Sequence, residues 1–276
     1  MSFYIINSRA EKEPFSWQKV YQSAKRVGAS KEIARKTADI VAKELSPNQK
    51  TSEIFEKVKK ILEQESPQAA LRFSLKKAMR KLGPTGFPFE KYVGEIFEQQ
   101  GFNVKVGQIV KGRCCRHEID FLAEDKENLF LGECKYRNLP GKRIDLPVAL
   151  QNYARFLDIE KGNFMKKGKE LKTILVTNTK FTSQAIKYST CVGSKLLGWR
   201  YPKKQGLEYF IETQKLYPIT ILPSLTRFLS DIFVEKKMML VRDILKLDIE
   251  KFAEQNRLQL KHLEPLIRET KILLSE

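Results

Sequence analysis

The sequence predicts a multidomain α/β protein with a mostly helical N-terminal module, a central mixed sheet flanked by helices, and a small helical C-terminal domain. Apolar residues recur at helical spacing near both ends of the chain, and strand-like runs alternate with helical patterns in its middle. The segment GPTGFP at 83–88 interrupts the first pattern and marks a boundary. The predicted domains are therefore residues 1–84, 85–223 and 224–276.

The N-terminal domain is predicted to begin with a β-hairpin over residues 3–15. Ser30 and Thr51 are predicted helix N-caps, and Gly28 suits the end of a helix. The helical patterns that follow the hairpin are WQKVYQSAKRVG, SKEIARKTADIVAKEL, TSEIFEKVKKILEQE and SPQAALRFSLKKAMRKL.

The central domain is predicted to start with the helix FEKYVGEIFEQQ and three strands near 103–111, 115–123 and 129–136. A helix around VALQNYARFLD, a strand KTILVTN, a helix SQAIKYSTCV and a strand KLLGW complete an α/β order. The C-terminal domain is predicted to contain the amphipathic helices LTRFLSDIF, KMMLVRDILKL, DIEKFAEQN and HLEPLIRETKILL.

Charge and composition point to a polyanionic partner. The chain has 276 residues and a formal net charge of +18, divided as +9, +8 and +1 among the three predicted domains. Such a basic protein attracts nucleic acid through phosphate contacts and counterion release. The sequence has no apolar run long enough to span a membrane, and its four cysteines lack CxxC spacing. We therefore expect a cytoplasmic protein with reduced thiols and no membrane partner.

The segment HEIDFLAEDKENLFLGECKYR, residues 117–137, reads as two apolar strands around a polar turn, yet it carries charges within the strands. Strict alternation predicts that the side chains at 118, 120 and 122 share one face and those at 119, 121 and 123 the other. A turn centred in EDKEN also sets the pairing register. That register pairs Asp120 with Glu133, Glu118 with Lys135, and Leu122 with Leu131.

Two facing carboxylates repel each other unless a cation lies between them. Asp120 and Glu133 are therefore predicted ligands of Mg²⁺, which prefers carboxylate oxygens. Lys135 is placed to orient or deprotonate a water, or to neutralise charge on a phosphate. The alternative is a simple cross-strand ion pair between Glu118 and Lys135 on a wet edge, which stabilises by only a few tenths of a kcal/mol.

Asp120, a hairpin and then Glu133-Cys134-Lys135 resemble the PD-(D/E)XK nuclease signature in its Mrr-like restriction endonuclease form. The resemblance covers residues 85–223. It implies a restriction-endonuclease-like fold and Mg²⁺-dependent hydrolysis of DNA phosphodiesters, with Mn²⁺ as a substitute metal. It also implies that the two acids hold the metal and that the lysine lies near the attacking water.

The same family places an acid on the first core helix and often a glutamine on the helix after the lysine strand. Glu90 borders the apolar stripe of its helix, whereas Glu95 lies on the solvated face, so Glu90 is the predicted catalytic acid. Gln151 matches the glutamine. We expect His117 to be a polar residue at a strand end and, with Cys114 and Cys115, to lack the ligands for a zinc site. Further phosphate contacts are expected from Lys142, Arg143, Lys166, Lys167 and Lys169.

Residues 3–82 resemble an ATP-cone, which implies binding of ATP or dATP. Arg72 and Lys76 match its late helix. Where the family's hairpin reads lysine, arginine, a turn residue and glycine, this chain has Asn7, Ser8, Arg9 and Ala10. Arg9 and Lys12 supply replacement cations, because a phosphate site needs cations more than one fixed position. The favoured interpretation is a degenerate cone that serves as a docking or DNA-contact module, with a working nucleotide sensor as the alternative.

The predicted function is that of a dimeric, metal-dependent DNA endonuclease of the restriction or DNA-processing type. Two alternatives stay open: a nucleotide-responsive DNA-binding regulator with an inactive nuclease core, and a resolvase of branched DNA. The C-terminal helices carry little net charge, which favours a structural or oligomerising role over phosphate contact.

Overall fold

The computed structural model describes residues 3–83, 89–162, 164 and 168–275. Most of the predicted boundary at 83–88 lies outside these residues. The chain divides into two compact units. The helical unit comprises Met1–Met79, Ile219–Ile232 and Leu240–Glu276, and the sheet unit comprises Arg80–Pro218 and Phe233–Met239. The three predicted ranges do not coincide with these units, because most of the C-terminal segment groups with the N-terminal helices.

The helical unit begins with the predicted hairpin, which is confirmed by the pairing of Ile5 with Glu13. Ser30 is a confirmed N-cap that accepts a hydrogen bond from Ile33 N, and Gly28 ends its helix with φ +96°. The Thr51 prediction is wrong by one residue, because Lys50 is the extended N-cap and Thr51 is already helical. The elements are β1 Tyr4–Ile6, β2 Lys12–Pro14, α1 Trp17–Arg26, α2 Lys31–Lys43, α3 Thr51–Glu65, α4 Pro67–Phe73 and α5 Leu75–Met79.

The sheet unit follows the predicted α/β order. Its elements are α6 Phe89–Glu98, β3 Asn103–Lys111, β4 Arg116–Glu124, β5 Asn128–Cys134, β6 Arg143–Ile144, α7 Leu146–Glu160, β7 Glu170–Val176, β8 Lys180–Phe181, α8 Ser183–Cys191, β9 Lys195–Leu197 and α9 Leu207–Thr213. In the described residues the main sheet has the order β3-β4-β5-β7-β9. The first two pairings are antiparallel and the last two are parallel, so the sheet is mixed.

Helices α6 and α7 cover the sheet of this unit. The ring of Phe97 in α6 packs 5.0 Å from the ring of Phe121 in β4. In α7, Ile159 packs with Leu129 and Leu131 of β5, which places α7 over the strand that carries the predicted motif. The two helices therefore bring their side chains to the same central strands, as expected when helices bury a sheet.

The C-terminal segment packs within the helical unit. The amide of Gln68 in α4 donates to the carbonyl oxygen of Ser275 at 2.6 Å. The predicted long helix KMMLVRDILKL is wrong: only four residues are helical, because Lys237 has φ +58° and Leu240 is an extended N-cap. The elements are α10 Arg227–Glu235, α11 Val241–Ile244, α12 Ile249–Gln255 and α13 Glu264–Leu274.

Each unit contains one of the two tryptophans of the chain. In the helical unit, Trp17 donates from its indole Nε1 to Asp39 Oδ1 at 2.7 Å. In the sheet unit, Trp199 is 1% exposed.

None of the described helices has both the length and the apolar character needed to cross a bilayer.

Candidate active site

The predicted register of the charged hairpin is confirmed. Strands β4 and β5 are antiparallel, with Leu122 opposite Leu131 and Phe121 opposite Gly132. Continuing this ladder by one residue sets Asp120 opposite Glu133. Strand β5 runs parallel to β7, so Glu133 lies near the carboxyl ends of both strands. Open α/β sheets commonly bind ligands at that edge.

Strict alternation along β4 is wrong at Asp120. Ile119 and Leu122 both pack in the apolar cluster beneath α7, although strict alternation puts them on opposite faces. The ladder with β3 is irregular at the same point, where Gly107 has φ +63° between the pairs Val106–Phe121 and Gln108–Ile119. The β3–β4 register is the same on both sides of this point, so the change of face occurs without an inserted residue.

The carboxylate of Asp120 is bound to the backbone of β5. Its Oδ2 accepts a hydrogen bond from Cys134 N at 2.6 Å. Burial raises the pKa of Asp120, and the negative charges of Glu133 and Glu90 raise it further, while the Cys134 hydrogen bond and Lys135 act in the opposite direction. Asp120 therefore lies within electrostatic reach of Glu133, Lys135 and Glu90.

Glu133 is 5% exposed and lies between two cations. Lys135 Nζ contacts its Oε1, and Arg155 Nη1 in α7 donates to its Oε2. The predicted alternative partner of Lys135, Glu118, is exposed and lies opposite Ile109 on β3. A buried carboxylate with two hydrogen-bonded cations is compensated electrically, which a lone buried acid is not.

Glu90 and Gln151 occupy different environments. Glu90 is half-buried in the first turn of α6, where its charge raises the pKa of Asp120. Glu95 lines a separate cavity of about 240 Å³ together with Lys91 and Val106. Gln151 is exposed on α7, and its buried neighbour Asn152 donates to Thr173 Oγ1 at 3.1 Å. The structure thus brings Glu90 to the acids and leaves Gln151 at the surface.

Arg155 is a residue of this site that was not predicted from the sequence. The signal was present: Ala149, Asn152, Phe156 and Ile159 form the inward stripe of α7, and Arg155 lies within it at helical spacing. A charged residue in such a stripe requires a buried partner. Its partner, Glu133, lies 22 residues earlier in the chain.

The carboxylate oxygens of the three acids at this site are not all as close to one another as in a preformed metal site. In the part of the chain that the structure describes, the set of three or more His, Cys, Asp and Glu ligand atoms that all lie within 4.8 Å of one another is Cys115, His117 and Asp158. Asp120, Glu133 and Glu90 do not form such a set.

Among the expected phosphate contacts, Lys142 and Arg143 are exposed, Lys169 pairs with Glu124 at 2.7 Å, and Lys166 and Lys167 lie outside the described residues.

Comparisons with known proteins give a family but no activity. No protein-family model matches the chain. An uncharacterized protein of Archaeoglobus fulgidus is 40% identical over 162 residues, which are 59% of this chain and 88% of that protein. The chain belongs to the family of this archaeal protein. The crystal structure of a protein of unknown function, AF1548, is similar to this member of the family with a TM-score of 0.57 and 36% identity, over 68% of this chain and 97% of that one.

In this family member the predicted nucleotide residues do not converge on one cavity. The helical unit has a cavity of about 180 Å³, lined by apolar residues of β1, α1 and α3 together with Glu13, Lys19 and Thr51. Arg9 instead pairs with Glu11 at the hairpin, Lys12 is exposed on β2, and Nη1 of Arg72 lies near Gly28. Lys76 lies in α5. The hairpin turn keeps a left-handed residue, Ala10 at φ +62°, where the resembled family has glycine.

Proposed function

We propose that the protein is a Mg²⁺-dependent DNA endonuclease whose site is formed by Asp120, Glu133, Lys135 and Glu90, with Mn²⁺ as a substitute metal. The observation that carries this proposal is the hydrogen bond from Cys134 N to Asp120 Oδ2, which ties one acid to the strand end that carries Glu133 and Lys135. The four free thiols favour a reducing compartment, and we assign the activity to the cytoplasm.

The residues present fit a hard divalent cation in their chemistry. All the candidate donors are carboxylate oxygens, and two neighbouring acids raise the pKa of Asp120, so a positive charge there would relieve repulsion. Asp120 and Glu133 would hold the metal, and one oxygen of Glu133 would have to leave Lys135 or Arg155. Bound there, Mg²⁺ would lower the pKa of a water and offset charge on the scissile phosphate.

The side chains of the chain supply the remaining functions. Once it is released from Glu133, Lys135 can orient the attacking water or donate to a phosphate oxygen. Arg155 holds Glu133 in place from α7. Exposed Gln151, Lys142 and Arg143 can contact the DNA backbone, and the net charge of +18 supplies sequence-independent affinity. A homodimer would allow both strands to be cut.

The second candidate function is a DNA-binding regulator with an inactive nuclease core. One observation favours it: both oxygens of Glu133 are already neutralised by cations of the protein, as in a structural ion-pair network. In this case the cavity lined by Glu13, Lys19 and Thr51 is the candidate nucleotide site. The regulator binds DNA and leaves it intact.

Cleavage assays separate the two functions. The wild type, Asp120→Asn, Glu133→Gln and Lys135→Met are incubated with supercoiled plasmid, methylated plasmid and a four-way junction, in Mg²⁺, Mn²⁺ or EDTA. Glu118→Gln, which changes an exposed acid on the same strand as Asp120, is the matched control. We expect metal-dependent cleavage by the wild type and the control, and a loss of at least about 100-fold in the three site variants.

The regulator is supported instead if every substrate survives while DNA binding weakens steeply with salt, as expected for phosphate contacts. Cleavage of the junction alone identifies a resolvase. Cleavage that persists in Asp120→Asn refutes the proposed site.

A further inference from the structure

A second cluster of reactive side chains lies at the turn between β3 and β4. Cys115 Sγ and His117 Nε2 are 3.5 Å apart, His117 Nε2 and Asp158 Oδ2 are 2.7 Å apart, and Cys115 Sγ and Asp158 Oδ2 are 3.9 Å apart. The cysteine comes from the turn just before β4, the histidine from the start of β4, and the aspartate from α7. The cluster therefore joins residues that are more than 40 positions apart in the sequence.

The backbone of the turn fixes the position of the aspartate. Cys114 N donates to Asp158 Oδ1 at 2.9 Å, and Arg113 N donates to the Asp158 carbonyl oxygen at 2.9 Å. A Cβ on Gly112 would lie 2.1 Å from Asp158 Oδ2, so the carboxylate packs directly against a glycine backbone. The side chains of His117 and Asp158 are only 17% and 16% exposed. The cluster is thus preorganised rather than a chance approach of mobile surface groups.

The geometry does not suit a proton relay. In a cysteine–histidine–aspartate relay, the thiol and the carboxylate bind different nitrogens of the imidazole ring. Here Cys115 and Asp158 both approach the same nitrogen, Nε2 of His117. Three donor atoms that converge on one point are instead the arrangement of a metal site.

The distances suit a small tetrahedral cation. Zinc bonds of about 2.3 Å to sulfur and about 2.0–2.2 Å to nitrogen and oxygen, at tetrahedral angles, give ligand separations of about 3.4–3.6 Å. The sulfur–nitrogen separation of 3.5 Å already matches, and the sulfur–oxygen separation of 3.9 Å is close. The 2.7 Å contact between His117 and Asp158 would widen as their hydrogen bond is replaced.

We propose that Cys115, His117 and Asp158 bind a borderline-soft divalent cation of the Zn²⁺ type. A thiolate and an imidazole select such an ion over Mg²⁺, which prefers oxygen ligands. In the sequence alone, Cys114, Cys115 and His117 lack the further ligands that a zinc site needs, and in the structure Asp158 supplies one from α7. The inference is independent of nuclease activity, because none of its three ligands belongs to the proposed catalytic site.

Titration of the metal-free full-length protein with Co²⁺ tests the proposal, since Co²⁺ bound to a thiolate has a charge-transfer band. We expect one thiolate-bound Co²⁺ per chain, followed by this band and displaced by Zn²⁺, and a weakening of at least about 10-fold in Cys115→Ser and in His117→Gln. Cys191→Ser, which removes another exposed cysteine, and Asp120→Asn, which changes the proposed nuclease site, should show the same thiolate band titration as the wild type. Zn²⁺ should raise the Tm of the wild type and of both controls.

The proposal is overturned if the wild type shows no thiolate band, or if Cys115→Ser and His117→Gln bind Co²⁺ as tightly as Cys191→Ser does. Loss of DNA cleavage in Asp120→Asn with an unchanged Co²⁺ titration would confirm that the two sites are separate. The His117→Gln variant keeps a donor for Asp158, so its fold should be preserved. If its Tm without metal equals that of the wild type, a loss of Co²⁺ binding is a binding defect and not a folding defect.

Discussion

Nη1 of Arg155 donates to Oε2 of Glu133, so a residue outside the nuclease-like motif holds the buried acid of that motif. Lys135 contacts the other carboxylate oxygen. The charge of Glu133 is therefore compensated from two directions, by the end of its own strand and by α7. Removing one partner of a buried ion pair leaves a charge without full compensation, which is strongly destabilising.

Arg155→Ala is accordingly expected to lower the free energy of unfolding by about 2–4 kcal/mol, measured by urea denaturation. The matched control is Arg200→Ala. Arg200 pairs with Glu208 at 2.7 Å, but its side chain is 47% exposed, so its loss should change the free energy of unfolding by less than about 1 kcal/mol. Equal losses in the two variants would show that the Glu133 pair contributes no more than a surface pair.

The raised pKa of Asp120 predicts a pH-dependent stability. The folded state holds the proton more tightly than the unfolded chain does, so the free energy of unfolding falls as pH rises from the usual carboxyl value of 3.8 through the raised value. Asp120→Asn removes this dependence and keeps an acceptor for Cys134 N. In EDTA, the variant should melt at a higher temperature than the wild type at neutral pH, with the difference shrinking in acid. A constant difference between the two Tm values across pH would contradict the assignment.

Gly132 is required by the ring of Phe121. A Cβ at this position would lie 2.2 Å from ring atoms of Phe121, which is fully buried. Gly132→Ala should therefore lower the free energy of unfolding by about 1–3 kcal/mol through overpacking. Combining it with Phe121→Leu tests the mechanism: the double variant should lose less than the sum of the single losses. Strict additivity in urea denaturation would argue against a clash with Phe121.

Ala10 adopts φ +62°, a left-handed conformation that carries a steric penalty for any residue with a Cβ. Ala10→Gly is therefore expected to raise the free energy of unfolding of the helical unit by about 0.5–1 kcal/mol. Ala42→Gly, in the last turn of α2, should lower it by up to about 1 kcal/mol because glycine is a poor helix former. A loss of stability in Ala10→Gly, measured by chemical denaturation, would refute the strain.

The features of the fold that could be predicted from the sequence are those that short-range geometry determines. The register of the charged hairpin follows from its turn and from matching apolar residues across the strands, and the pair Leu122–Leu131 confirms it. The partners of Glu133 and His117 were not predictable in this way, because Arg155 and Asp158 come from a helix whose placement on the sheet is tertiary. The shift of alternation at Asp120 was also missed, since the left-handed backbone of Gly107 in β3 is not apparent from the residue type alone.

The distribution of the two tryptophans makes each unit of the protein separately observable. Trp17 belongs to the helical unit and Trp199 to the sheet unit. The fluorescence of a Trp17→Phe variant therefore comes from the sheet unit, and that of a Trp199→Phe variant comes from the helical unit. Intrinsic emission can report, without any added dye, whether the two units unfold in one transition or in two.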